Sequence, residues 1–91
     1  MNQLQEVNAK DSWIRAASKV LTTCFKAKGG YYFHDPVDPA KYGIDHYFQI
    51  ITEPMDFGTI RKKLNNNIYS NIEEFTRDMN LVFDNCVKYN G

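Results

Sequence analysis

The aromatic and aliphatic residues between Tyr31 and Phe48 are the side chains of this sequence best suited to wall a ligand site. The stretch carries Tyr31, Tyr32, Phe33, Val37, Tyr42, Ile44, Tyr47 and Phe48, with few charges near its apolar centre. Walls of that kind suit a neutral, slender ligand with one polar group, because burying an unpaired ammonium is costly. An asparagine amide can donate its N–H to a carbonyl, and a tyrosine hydroxyl can hold a bridging water. Composition and spacing alone therefore support a helical domain with a loop pocket, and no narrower ligand class.

Other chemistry-bearing residues carry weaker readings. His34 beside Asp35 has the types of a metal or acid–base pair, but one of each in a loop reads as solvated polarity. Arg61-Lys62-Lys63 reads as the wet face of a helix, with weak phosphate contact as its functional alternative. Cys24 and Cys86 lie far apart without metal-ligand spacing and are expected as reduced, buried thiols of an intracellular protein. There is no Ser/His/Asp set with supporting motif, no phosphate-cradling glycine loop and no metal-ligand cluster. The expectation is a non-catalytic binding module with no cofactor and no metal.

These residues need elements to position them, and helical periodicity supplies three. Trp13, Ala17, Val20, Leu21, Cys24 and Phe25 line one face of a first helix that Asp11 or Ser12 would cap and Gly29-Gly30 would stop. Residues 1–10 are a polar leader or an extension of that helix, through Leu4 and Val7. A second helix runs from a cap at Asp56 to about Asn66, with Phe57, Ile60 and Leu64 on one face, and Pro54 fixes its start. A third begins at a capping-box-like Asn71/Glu74 and keeps Ile72, Phe75, Met79, Val82, Phe83 and Cys86 on one stripe. Between the first two lies a loop of about 25 residues, with one helical turn expected near Asp45 to Ile50. Loops beyond about 15 residues in a compact domain are functional or disordered, and this one is too apolar to hang in solvent.

Composition agrees with one small folded domain. The 91 residues are 43% hydrophobic and 14% aromatic, as a packed core requires. Eleven Lys+Arg balance eleven Asp+Glu, so strong nucleic-acid binding is not expected. No apolar run approaches the length of about 20 residues that spans a bilayer.

The ordered words Tyr31-Tyr32-Phe33, Pro36-Val37-Asp38, Tyr47-Phe48-Gln49-Ile50-Ile51, Pro54-Met55-Asp56-Phe57-Gly58-Thr59-Ile60 and Asn85-Cys86-Val87-Lys88-Tyr89-Asn90 resemble a bromodomain, from Trp13 to Asn90. The resemblance implies an all-α, left-handed bundle over residues 11–91, with a long loop between first and second helices. It implies recognition of acetylated lysine, whose side chain has exchanged its charge for a methyl and an amide carbonyl. Asn90 would bond that carbonyl, and Tyr47 would reach it through water. Phe33, Val37 and Pro36 would line the methyl end, Tyr42 and Ile44 the loop wall, and Tyr89 the rim. Tyr31 and Tyr32 would form the outer shelf. Implied partners are acetylated histone peptides and other chromatin proteins in the nucleus.

Two departures stand out. Tyr31-Tyr32-Phe33 replaces the frequent Trp-Pro-Phe, and Asp45-His46 replaces Pro-Asp, which places an imidazole near the pocket mouth. The family bundle has a further helix after the position of Asn90. The resemblance therefore predicts that the natural protein continues past Gly91, or that a second copy covers the exposed faces of the first and third helices as a homodimer. A different class of reading is an interaction or dimerisation module with an incomplete, silent pocket.

Overall fold

The computed structural model describes residues 2–90, with side-chain environments from Ser12 onward. Five α-helices follow in order: α1 (Asn2–Lys26), α2 (Pro39–Tyr42), α3 (Tyr47–Ile50), α4 (Phe57–Asn65) and α5 (Ile72–Asn90). A 3-10 turn, Gly30–Phe33, stands between α1 and α2. The described residues contain no strand.

The first helix starts earlier than its polar residues imply. Asp11 and Ser12 lie within α1 and do not cap it; the helix continues back through the backbone of Leu4 and Val7 to Asn2. Its end behaves as the glycines require. Gly29 adopts φ 86°, in the left-handed region that favours glycine. A Cβ on Gly30 would collide with the carbonyl oxygen of Cys24, so the chain can turn this closely only without a side chain.

Helix α4 begins where the sequence places it. The Asp56 carboxylate accepts the Thr59 N–H at 2.8 Å and the Thr59 hydroxyl at 2.6 Å. At α5, Asn71 Oδ1 accepts from Glu74 N at 3.0 Å, while Glu74 Oε1 accepts from Ser70 N at 2.6 Å. The reciprocal bond thus falls one residue earlier than in a simple capping box.

The core joins Ala17 and Leu21 of α1, Phe57, Ile60 and Leu64 of α4, and Phe75, Met79 and Val82 of α5, with Tyr69 from the connection between α4 and α5. Not every residue of the expected stripes is inside. Val20, Ile72 and Phe83 are exposed, as is Val87 near the end of α5. Val20 lies at the edge of the α1 stripe, and Ile72 heads α5 in its first turn. Phe83 keeps one side against Phe33 and Phe57, at centroid separations of 6.4 and 5.9 Å. Cys24 and Cys86 are free thiols and only partly buried.

Three polar residues expected to be solvated have structural roles. Arg61 donates to Ser18 Oγ at 2.9 Å and Thr22 Oγ1 at 2.7 Å, with its guanidinium 5.6 Å from the Phe25 ring centre. Lys63 pairs with Asp78 at 2.6 Å. Of the basic triplet, Lys62 remains an exposed solvent-facing charge, so the triplet is not a free cationic stripe. His34 is likewise not loop polarity: its Nε2 lies 2.8 Å from the Phe25 carbonyl oxygen, and its ring packs 4.4 Å from that of Phe25.

Asp78 is 2% exposed and joins three elements. Its Oδ2 accepts from Lys63 Nζ and from Tyr69 Oη, both at 2.6 Å, while Arg77 lies 3.6 Å from Oδ1. A buried carboxylate is tolerable because it is paired and hydrogen-bonded. Asp78→Ala should leave Tyr69 without its acceptor and Lys63, about a third exposed, without its counter-charge. The expected loss is about 2–3 kcal/mol, read as a lower urea midpoint with unchanged slope.

The Tyr69 hydroxyl titrates well above the ordinary phenol range, first because it is buried and then because it donates to Asp78. Its proton is therefore released by the unfolded chain before the folded one. Stability from this source is complete below about pH 10 and declines as pH rises past that value. Tyr69→Phe should flatten the alkaline limb of a stability–pH profile, and an unchanged limb would refute the assignment.

Candidate functional site

The loop between α1 and α4 reaches α5 through a few fastenings. Asp38 caps α2, its carboxylate accepting the Lys41 N–H at 3.3 Å, and Gly43 closes α2 at φ 67°. The backbone N–H of Gly58 donates to the His34 carbonyl at 2.9 Å. A Cβ on Gly58 would collide with that oxygen, so this approach of loop to α4 also depends on glycine. Further along, Asn85 Nδ2 donates to the Glu53 carbonyl at 2.8 Å, and Arg77 pairs with the Glu53 carboxylate at 2.7 Å.

Held this way, the loop and α5 enclose a cavity of about 550 Å³. Phe33, Pro36 and Val37 line it from the segment after the 3-10 turn begins, and Tyr42 and Ile44 from the α2 region. Tyr47 enters from α3, Tyr89 and Asn90 from the last turn of α5, and Tyr31 and Tyr32 from the outer edge. All ten residues singled out from the sequence therefore border one cavity. Residues outside that selection also line it, among them Met55, Val82, Asn85 and Cys86. Met55 and Val82 belong to the helical and loop apolar pattern, which does not distinguish a core contact from a pocket wall. Asn85 had a signal in the repeated asparagines of the α5 ending, but not one that tells which of them fastens the loop.

Charged side chains also border the cavity, Asp35, Asp38 and Lys41 exposed and Asp56 buried in its cap on α4. Tyr47 is 8% exposed, and burial raises its hydroxyl above the ordinary phenol range, with Cys86 and then Tyr89 adding to the effect. It stays a neutral phenol at physiological pH. Its hydroxyl has no hydrogen-bond partner among the described residues, where every fully buried side-chain polar atom is paired, so it opens onto the cavity. The Tyr47 ring packs 5.0 Å from Tyr89, and the His46 ring lies 6.0 Å from Tyr89 without itself lining the cavity. Asn90 Nδ2 lies 2.9 Å from the Cys86 carbonyl oxygen and 3.5 Å from Cys86 Sγ. The nitrogen carries two N–H groups. One is satisfied by the carbonyl and the other has at best a weak sulfur acceptor, which a better acceptor in the cavity could replace.

No group of three or more His, Cys, Asp or Glu side chains is arranged to hold a metal among the described residues. No helix among them is long and apolar enough to cross a membrane.

An all-α scaffold with a long, folded loop walling a cavity against the end of its last described helix defines a small helical recognition module. The chain belongs to the bromodomain family, whose model matches residues 17–91. It is 50% identical over 80 residues to an ankyrin repeat, bromo and BTB domain-containing protein of Dictyostelium discoideum, covering 80% of this chain and 10% of that protein. It is 43% identical over 83 residues to the SWR1 complex bromodomain subunit bdf1 of Schizosaccharomyces pombe, covering 88% of this chain and 14% of that protein. Against the Arabidopsis thaliana transcription factor GTE3, named chloroplastic, identity is 38% over 77 residues, covering 85% of this chain and 17% of that protein. The chain thus spans less than a fifth of the length of each of these relatives. Bromodomains are in general non-catalytic readers of acetylated lysine, and that general role is the one family membership supports.

Because Asn85 ties α5 to the loop through Glu53, Asn85→Ala should orphan that carbonyl and lower stability by about 1–2 kcal/mol. Hydrogen exchange should rise in residues 44–55 more than in α1. Uniform exchange changes would show that the bond does not fasten the loop.

Proposed function

We propose that this domain binds acetylated lysine, on histone tails, through a pocket anchored by Asn90. The observation that carries the reading is the pairing, on one cavity, of an asparagine with a replaceable N–H and a neutral, unpartnered tyrosine hydroxyl. The acetyl carbonyl accepts from Asn90 Nδ2 in place of the sulfur contact, and a water held by Tyr47 reaches the same oxygen. Phe33 and Val37 enclose the methyl group; Ile44 and Tyr42 flank the aliphatic stem. An unmodified lysine would bring an ammonium to a cavity whose one buried carboxylate among the described residues, Asp56, already spends both oxygens on Thr59, and burying an unpaired charge is costly. Histone peptides and other chromatin proteins are the proposed partners, and the nucleus the proposed location. The name of the S. pombe relative, a subunit of the SWR1 complex, supports a chromatin setting, whereas the chloroplastic label on GTE3 does not.

A second reading, an interaction or homodimerisation module with a silent pocket, draws support from the exposed Val20, Phe83 and Val87. Acetyl dependence separates the two. An acetylated histone H4 peptide should bind in a calorimetric titration, and its unmodified twin should not. Asn90→Ala should weaken the acetylated peptide roughly tenfold or more, the value of one well-placed hydrogen bond near 1.4 kcal/mol. Its effect on stability should stay within about 0.5 kcal/mol, because Asn90 is exposed and bonds only to its own helix. Equal binding of both peptides, or none of either, would favour the second reading.

A further inference from the structure

The outer edge of the cavity is built unlike its interior. Tyr31 is 73% exposed, Tyr32 75% and Tyr42 60%, so three large aromatic side chains stand in solvent around one opening. Asp35 and Asp38 line the same opening and are exposed. Neither takes part in an ion pair among the described residues, where the pairs are Lys63–Asp78, Arg77–Glu53 and Arg77–Asp78. One basic side chain, Lys41, lines the same opening. His34 is engaged with the Phe25 carbonyl, and Lys41 Nζ lies 5.5 Å from the Tyr42 ring centre. Asp38 spends one oxygen on the α2 cap. Asp35 thus borders the same opening as the Tyr31 and Tyr32 rings, which stand edge to face at 5.8 Å, and has no ion-pair partner among the described residues.

We propose that this edge is a second subsite that takes a cationic side chain, arginine before lysine, from the residues flanking the acetylated lysine in a peptide ligand. It rests on the acetyl-lysine reading of the cavity. The occupant follows from charge complementarity: a guanidinium pairs with Asp35, which has no ion-pair partner among the described residues, while its plane covers an exposed tyrosine face. The cation–π contact made by Lys41 on Tyr42 shows this opening already accepting a cation on an aromatic ring. Arginine gains over lysine because its weakly hydrated plane stacks and pairs at once. Both contacts are solvent-exposed, so the expected gain is about threefold to tenfold in affinity, shrinking as salt is raised.

The test uses peptides with one acetyl-lysine and a single arginine placed one, two or three residues away on either side, each with a citrulline twin. Citrulline keeps the shape and removes the charge. At least one arginine peptide should bind the wild-type domain threefold to tenfold more tightly than its twin, and Asp35→Asn or Tyr32→Ala should bring that ratio towards one. Equal affinities across all pairs, with acetylation still required, would overturn the subsite and leave the acetyl-lysine reading standing. A ratio that survives Asp35→Asn would also overturn it. Loss of any difference between acetylated and unacetylated arginine peptides would instead overturn the reading on which it rests.

Discussion

Phe57 is the residue on which α1, the long loop and α5 all converge with aromatic rings. It is the first residue of α4, is 1% exposed, and meets Phe25 of α1, Phe33 of the loop and Phe83 of α5 at centroid separations of 5.9, 5.8 and 5.9 Å. Tilted and edge-to-face rings at these distances add to the area they bury. The position of Phe57 is in turn set by Asp56, whose cap fixes where α4 begins, and by Gly58, whose lack of a side chain admits the His34 backbone. Three consecutive residues with three different physical jobs thus bring the loop onto the helices. The cavity exists because Phe33 is held against Phe57 on its inner side and faces the ligand space on its outer side.

Around that hub, polar groups divide by what they face. Asp78, Arg61 and His34 turn inward and are paired with partners on other elements. Tyr47 and Asn90 turn to the cavity with hydrogen-bonding capacity in reserve. Asp35 is exposed, with no ion-pair partner among the described residues. The same residue types therefore fasten the fold or stay available according to whether the surrounding structure has already used their donors and acceptors.

Much of this was legible in the amino-acid order, and the rest was hidden for identifiable reasons. The starts of α4 and α5 carry side-chain caps that act over three or four residues, so local sequence suffices to place them. Asp11 misplaces the start of α1, because the backbone is helical on both sides of it. Two short turns, Gly30–Phe33 and Pro39–Tyr42, escaped the periodic reading because four residues are too few to show a period. Arg61, Lys63 and His34 looked solvated because their partners, Thr22, Asp78 and Phe25, are remote in sequence or on another helix. The cavity residues could be gathered because they recur as an ordered set of words, whereas Asn85 and Asn90, five positions apart, differ in role for reasons only the tertiary contacts reveal.

The loop has no ladder of backbone hydrogen bonds like those inside a helix or sheet; it is pinned at separated points by Asn85 to Glu53, by Gly58 to His34, by His34 to Phe25 and by the cap on α2. A segment fastened at points tends to open as a cooperative unit, and its opening free energy lies below that of the whole domain. Since this segment supplies most of the cavity wall, the binding-competent population equals the fraction of molecules in which the pins are closed. Apparent affinity is the intrinsic affinity multiplied by that fraction. Evolution could therefore tune recognition from residues that never touch a ligand, by strengthening or loosening a single pin.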